Sequence, residues 1–295
     1  MCCLPWCSPP IALALGLLLG MLAANPWPRQ TSQFSRTLLK LSVVGLGFGM
    51  DPRAVLSAGR TSFAYTGIGI AATMAIGIAA GRLLRVPRNS AFLISVGTSI
   101  CGGSAIAAVC PILHPREEEA AVSLSTVFVL NSIGLIVFPL LGTALHLSQT
   151  QFGLWAAMAI HDTSSVVGAG LKYGPAALIV ATTVKLVRTL WIVPVAMATA
   201  IWLRTRARVE WPWFVLLFLV AAWLSVELPS AKPVWTAITQ AAKSGFSVTL
   251  FLIGSGLNRK AIGTIGWRPM ALGLLLWLIV SAATLLCIRA SWIGF

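Results

Sequence analysis

The stretch Ala159-Ile160-His161-Asp162-Thr163-Ser164-Ser165-Val166-Val167-Gly168-Ala169-Gly170 places five polar side chains in one run inside an otherwise apolar chain. Polar and ionisable residues are costly at membrane depth, where by default they mark a functional site. This run is therefore the segment around which we expect the rest of the chain to be arranged.

The composition of the chain indicates a membrane protein. Of its 295 residues, 58% are hydrophobic and only 9% are charged, whereas soluble globular proteins carry about 25% charged residues. No hydrophilic run is long enough to form a separate soluble domain. We therefore expect one integral membrane domain over residues 1–295, with an all-α polytopic fold.

Apolar runs predict the membrane segments, because a helix needs about 20 apolar residues to cross a bilayer. Two segments, 90–112 and 151–171, are apolar but interrupted by glycine and polar residues. With eight predicted full spans they make ten membrane segments. The eight spans are 11–25, 38–50, 61–81, 121–141, 175–203, 212–228, 244–257 and 269–288.

The net charge of +14 has a membrane explanation. The cations are scattered in short loops rather than clustered on one face, which argues against nucleic-acid binding and fits the excess of Lys and Arg in cytoplasmic loops. The six cysteines show no CxxC pair and no spacing typical of metal ligands. The expected partner is therefore the lipid bilayer, and we expect neither a metal nor a cofactor.

Weak internal similarities predict two inverted repeats. Thr98-Ser99 with Gly103 has the same spacing as Thr163-Ser164 with Gly168. A second pairing matches the region from Ala120 to Pro139 with the region from Ala176 to Pro194. Paired interrupted segments are a sequence pointer to a transporter binding site. Inverted repeats also require the two interrupted segments to enter from opposite faces, which favours re-entrant or broken helices.

The helix breaks supply candidate groups for binding an anion. Glycine pairs such as Gly102-Gly103 break a helix, and a broken helix exposes N–H groups at the start of its second half. Such N–H groups and the helix dipole form a ready anion site. The predicted substrate-binding residues are Thr98, Ser99, Gly102, Gly103, Ser104, Thr163, Ser164, Lys185 and Arg188.

Two cations lie inside a predicted span and need a partner. Lys185 and Arg188 share a helix face because they are three residues apart. Each would cost roughly 2.5–3.5 kcal/mol at a helix centre. We expect Asp162, an anionic substrate, or each in turn to pair with them. Neutral or apolar residues stand at the matching positions of the other half, where Asn131 corresponds to Arg188.

Next to Asp162, His161 is a candidate for coupling transport to protons, because histidine titrates near neutral pH. We assign His161, Asp162 and Asn131 to coupling or gating, while a purely structural histidine remains the alternative. An enzyme is not expected. Neighbouring side chains on a helix diverge, so His161 and Asp162 cannot act as a base and its orienting acid, and no GxSxG or HExxH motif occurs.

At Ser99-Ile100-Cys101-Gly102-Gly103-Ser104-Ala105, at His161-Asp162 and at Lys185-Leu186-Val187-Arg188, the chain resembles the YeiH-type family of bacterial inner-membrane proteins. Members usually carry the label of sulfate exporter. The family is similar in organisation to the cation–proton antiporter and bile-acid transporter superfamily. This resemblance implies two inverted repeats, a panel domain, and a core domain with discontinuous helices.

The sequence thus predicts a secondary transporter of a small anion, such as sulfate or an organosulfonate. One alternative is a proton- or sodium-coupled symporter of an organic anion. Another is a channel or structural membrane protein with a static polar network. A homodimer is suggested only by analogy with related folds.

Overall fold

The computed structural model describes residues 9–22, 27–205, 212–256 and 265–293, and every regular element in these ranges is helical. The three residues Pro229–Ala231 form a short 3₁₀ turn. The described residues form thirteen α-helices: α1 Pro9–Leu22, α2 Pro28–Gly47, α3 Pro52–Leu83, α4 Arg88–Ser99, α5 Gly103–Leu113, α6 Glu117–Ala144, α7 Gln149–Ala159, α8 Thr163–Tyr173, α9 Pro175–Leu190, α10 Ile192–Leu203, α11 Trp213–Glu227, α12 Lys232–Gly256 and α13 Trp267–Arg289.

Four stretches of the described chain are long and apolar enough to cross a membrane: Ser62–Leu83, Glu117–Ala144, Pro175–Leu203 and Trp267–Arg289. A fifth arises if α11 and the helix after it count as one span, although they are bent by 99°. The protein is therefore an all-helical, polytopic membrane protein. The count of ten membrane segments stays a prediction.

Two helices extend well beyond the predicted spans. The span predicted at 38–50 is the end of α2, which begins at Pro28, and the span predicted at 244–257 is the end of α12, which begins at Lys232. Both helices start with proline near their first position, where its missing N–H costs nothing. Hydropathy alone does not predict these starts, because α2 begins with polar residues and the first half of α12 contains Lys232, Gln240 and Lys243. The end of the predicted span 11–25 lies outside the described residues.

The first interrupted segment doubles back on itself. Near the start of α4, Asn89 donates from Nδ2 to Oε2 of Glu119 on the first turn of α6 at 3.0 Å, and α5 ends only four residues before α6 begins. A Cβ placed on Gly97 would lie 2.9 Å from Cδ1 of Ile106. The two half-helices therefore lie side by side, with both outer ends near the start of α6.

The second interrupted segment, α7 and α8, also doubles back. The rings of Phe152 and Tyr173 stack with centroids 3.7 Å apart. The Tyr173 hydroxyl donates to the carbonyl oxygen of Leu147 at 2.7 Å. Gln149 Oε1 accepts from the amide of Ala176 at 2.9 Å. These contacts join the start of α7 to the end of α8 and the start of α9. Since α7 follows the end of α6, this reversal is based at the opposite end of α6 from the first.

Close packing holds α9 against the second reversal. A Cβ placed on Gly153 of α7 would lie 2.8 Å from the carbonyl oxygen of Ala177 on α9. Only glycine allows the two backbones to approach this closely. Helix α9 therefore packs directly against α7, and Lys185 and Arg188 lie on its buried face, in the interior.

Candidate functional site

Four helix ends meet in the interior of the protein. They are the C-terminal ends of α4 and α7 and the N-terminal starts of α5 and α8. The connections between them, at Ile100–Gly102 and at Ile160–Asp162, are buried. The two connections also touch, because a Cβ on Gly102 would lie 3.5 Å from the carbonyl oxygen of His161. The residues that the sequence singled out therefore belong to one region.

The Lys185 side chain joins the two reversals. Its ammonium is 0% exposed and donates to the carbonyl oxygens of Ile100 at 3.0 Å and Ile160 at 2.9 Å. A longer contact of 3.5 Å reaches Ala157. An ammonium has three donors, and all three have an acceptor within reach. One cation thus satisfies carbonyls at the ends of both α4 and α7.

Arg188 makes the same kind of bridge one turn further along α9. Its guanidinium, 1% exposed, donates from Nε to the carbonyl oxygen of Ser99 at 2.6 Å and from Nη2 to that of Thr98 at 3.4 Å. On the other side, Nη1 donates to the carbonyls of Met158 and Ala157. The C-terminal end of a helix carries partial negative charge and unpaired carbonyls, and the two cations offset both.

This arrangement corrects the expected pairing of these cations with Asp162. The only ion pair among the described residues is Arg116 with Glu119. Backbone carbonyls, rather than a carboxylate, stabilise the charges of Lys185 and Arg188, and no sequence pattern predicts such partners. Because the donors of both cations face those carbonyls, neither is free for a substrate in this structure.

Asp162 caps the N-terminus of α8. Its carboxylate accepts from the backbone amides of Ser164 at 2.9 Å and Ser165 at 3.3 Å, and also from the Ser164 hydroxyl. Aspartate is a preferred N-cap residue, and its charge suits the positive end of the helix dipole. The start of α8 is therefore filled by a carboxylate of the chain itself.

Asn131, on α6, reaches across to the second reversal. Its Oδ1 accepts from the amides of His161 at 2.9 Å and Asp162 at 3.2 Å. Its Nδ2 is buried and has no hydrogen-bond partner within the described part of the chain. That nitrogen lies 3.5 Å from the position of a Cβ on Gly102. Asn131 thus faces both connections at once.

The start of α5 differs from the start of α8, which Asp162 caps. Its N-cap residue is Gly102, with φ +62° and no side chain to cap the helix. Within the described ranges, no acceptor contacts the amide N–H of Gly103 or Ser104. Ser104 is also exposed, whereas Thr163 to Gly170 at the start of α8 are all buried.

The remaining predicted site residues differ in their contacts. The Ser99 hydroxyl donates to the carbonyl of Val96 at 3.1 Å, so Thr98 and Ser99 contribute carbonyls, rather than hydroxyls, to Arg188. The Thr98 hydroxyl and both ring nitrogens of His161 are buried without a partner in the described structure. Thr163 is buried at the start of α8.

The two Thr-Ser pairs that the sequence matches lie at different places on their helices. Thr98-Ser99 ends α4, whereas Thr163-Ser164 begins α8. Gly102 and Asp162 share a place, because each is the N-cap of the second half-helix of its reversal. The two inverted repeats stay a prediction.

The sequence assigns Asn131 to coupling or gating, and this assignment stays a prediction. It does not predict that the Asn131 amide oxygen holds the second connection. The available signal was a lone asparagine within a long apolar run. In the described residues, no group of three or more His, Cys, Asp or Glu side chains could hold a metal ion.

Comparison with known proteins places the chain in a family. A family model described as conserved hypothetical protein 698 matches residues 7–273. A UPF0324 membrane protein of Geobacter sulfurreducens is 47% identical over 292 residues, covering 99% of this chain and 94% of that protein. Another, of Bdellovibrio bacteriovorus, is 45% identical over 300 residues, covering 99% and 92%. A third, of Vibrio vulnificus, is 40% identical over 291 residues, covering 97% and 94%.

No solved structure matches the chain. The relatives share the name of a membrane protein, and the described helices include several that are long and apolar enough to span a bilayer. The chain is thus a multi-pass membrane protein that belongs to the YeiH-type family of UPF0324 membrane proteins, whose model is described as conserved hypothetical protein 698.

Proposed function

We propose that this protein is a secondary active transporter of a small anion, such as sulfate or an organosulfonate, in the bacterial inner membrane. The observation that carries the proposal is the meeting of the two chain reversals, which brings the starts of α5 and α8 together in the interior. Helix starts attract anions through their free N–H groups and the helix dipole.

The reversals themselves favour transport over a static role. Irregular backbone at membrane depth is tolerated only where it is buried in protein or lines a cavity. Transporters built from inverted repeats place such broken helices at the substrate site near the middle of the bilayer. The reversals here are based at opposite ends of α6, which supports two inverted repeats, ten membrane segments and alternating access.

The roles of the polar residues follow from their contacts. Lys185 and Arg188 hold the ends of α4 and α7 together, and the start of α5 carries the attraction for an anion. His161 lies at the second connection with no partner for its ring nitrogens among the described residues. We assign proton coupling to this histidine, because an imidazole with both nitrogens unpartnered can bind and release a proton during the transport cycle.

The competing interpretation is a membrane protein with a static polar network and no transport. The contacts of Lys185 and Arg188 favour it, but only for those two side chains. Their hydrogen bonds are fully explained by structure. The unpartnered groups at Asn131, His161 and the start of α5 are not. A purely structural network leaves these groups unexplained, because buried polar groups are normally paired.

The proposal is tested by counterflow with the purified full chain in liposomes. Vesicles are loaded with unlabelled sulfate, taurine or acetate, and the exchange of the labelled anion is followed. We expect at least one anion to exchange faster than in protein-free vesicles. If none exchanges, and thermal unfolding shows that the protein is folded, the transporter assignment is overturned.

A further inference from the structure

We propose that the start of α5 and the side-chain amide of Asn131 together form the seat for the oxyanion head of the substrate, in the place that Asp162 occupies at α8. This inference rests on the proposed transport function and specifies its binding site. The ligand class is a small oxyanion, such as a carboxylate, sulfonate or sulfate, bound by uncharged donors.

The two helix starts form a matched pair in which only one is filled. At α8, the carboxylate of Asp162 accepts from two backbone amides and one hydroxyl. At α5, glycine stands in the equivalent position and has no side chain to cap the helix. The amide of Ala105 faces the Cys101 thiol, whereas the amides of Gly103 and Ser104 have no acceptor within the described residues. These two amides are available for a carboxylate or sulfonate that comes from outside.

The Asn131 amide is an independent sign of a ligand. The side chain is only 3% exposed. Its orientation is fixed, because the amides of His161 and Asp162 both need an acceptor and only Oδ1 can supply it. The two-donor nitrogen must therefore face the other way, toward Gly102 at the start of α5. A buried N–H₂ group without an acceptor is costly, and an oxyanion at the start of α5 would supply one.

The two helix starts also differ in exposure. Ser104 at the start of α5 is exposed, while the start of α8 is buried. The donors of Lys185 and Arg188 face carbonyls, so the seat consists of peptide N–H groups, the Ser104 hydroxyl and an amide. Such donors direct hydrogen bonds at oxygen atoms, so we expect an oxyanion to be preferred over chloride.

Asn131→Asp is the sharpest single change for testing the seat. It keeps an oxygen to accept from His161 and Asp162 but replaces the N–H₂ group with a second oxygen. Gln151→Glu is the matched control: Oε1 of Gln151 accepts from the amide of Ser148 at 3.0 Å, and glutamate keeps that capping contact while adding the same charge. We expect Asn131→Asp to weaken anion affinity at least tenfold and Gln151→Glu to leave it within twofold.

A second variant tests the seat even if Asn131→Asp does not fold. Ser104→Asp places a carboxylate at the exposed start of α5, where an acidic side chain favours the helix and competes with the substrate. Affinity is measured as the half-saturating concentration of sulfate, taurine and acetate in counterflow, with chloride as the competitor that lacks oxygen. Thermal unfolding of each variant reports whether it is folded.

The outcomes separate this inference from the proposed function. Loss of affinity in every one of Asn131→Asp and Ser104→Asp that is folded, with Gln151→Glu unchanged, supports the seat. Wild-type affinity in either variant, when it is folded, overturns the seat while transport stands. Competition by chloride that equals that of the oxyanions overturns the assigned ligand class. If the wild type exchanges no anion, the proposed function itself fails.

Discussion

At the scale of single residues, Lys185 and Arg188 show how a buried cation can be stable without a carboxylate partner. Their N–H groups face the carbonyls that end α4 and α7, and those carbonyls carry the negative end of each helix dipole. The arrangement explains why two cations sit on one face of an apolar helix. It also makes them structural members of the site.

Removing Lys185 should therefore destabilise the fold. Lys185→Ala leaves the carbonyls of Ile100 and Ile160 buried without their donor, at about 1–3 kcal/mol for each. We expect a marked fall in the unfolding temperature of the detergent-solubilised protein. Lys172→Ala, which removes an exposed lysine, should change stability by less than about 0.5 kcal/mol. Equal stability of the two variants would show that Lys185 does not hold the reversals.

Variants of Asp162 distinguish the effect of its capping hydrogen bonds on stability from the effect of its negative charge. Asp162→Ala removes the acceptor for the amides of Ser164 and Ser165, which should cost about 0.5–2 kcal/mol. Asp162→Asn keeps an acceptor oxygen and should remain close to the wild type in unfolding temperature. If asparagine destabilises as much as alanine, the negative charge of Asp162, rather than its capping bonds, is what the fold needs.

At the scale of elements, the chain reversals depend on a few backbone positions. Gly102 has φ +62°, a conformation that L side chains rarely adopt, and a Cβ there would lie 3.3 Å from Cγ1 of Val127. Gly102→Ala should cost about 1–3 kcal/mol of stability through backbone strain. The control is Gly256→Ala at the end of α12, where a Cβ would meet no atom within 4 Å.

The measurement for this pair is thermal unfolding of both variants under the same conditions. We expect the unfolding temperature to fall clearly for Gly102→Ala and little for Gly256→Ala. A Gly102→Ala protein as stable as its control would mean that the first reversal does not require the positive φ that the structure shows.

The sequence could predict where the helices break, because glycines and polar residues at 100–104 and 159–170 interrupt apolar runs. It could not predict the starts of α2, which begins with polar residues, and of α12, whose first half contains Lys232, Gln240 and Lys243. Nor could it identify the partners of Lys185, because every residue has a backbone carbonyl. The seat at α5 depends on which helix start lacks a capping side chain, and the match of the two Thr-Ser pairs does not reveal this.

At the scale of the whole molecule, the two reversals predict a distinct pattern of labelling. Both outer ends of the first reversal lie beside the start of α6, and both outer ends of the second are joined near the start of α9. Single cysteines at Asn89 and Pro115 should therefore react with a membrane-impermeant reagent from one side. Cysteines at Ser148 and at the exposed Lys172 should react from the other side.

The native cysteines are replaced first, and sealed right-side-out and inverted vesicles are compared. Labelling of Asn89→Cys and Pro115→Cys from different sides would mean that the first segment crosses the bilayer fully. Labelling of Ser148→Cys and Lys172→Cys from different sides would mean that the second segment crosses fully. Either outcome would remove the opposed reversals on which the proposed site depends.

The measurement that tests the central claim most directly is uptake of labelled sulfate and taurine into sealed proteoliposomes under an imposed pH gradient. The wild type should accumulate at least one of them above protein-free vesicles, and collapse of the gradient with an ionophore should abolish the accumulation. Ser104→Asp should accumulate neither. Uptake by the folded wild type that equals that of protein-free vesicles would contradict the account of this protein as an anion transporter.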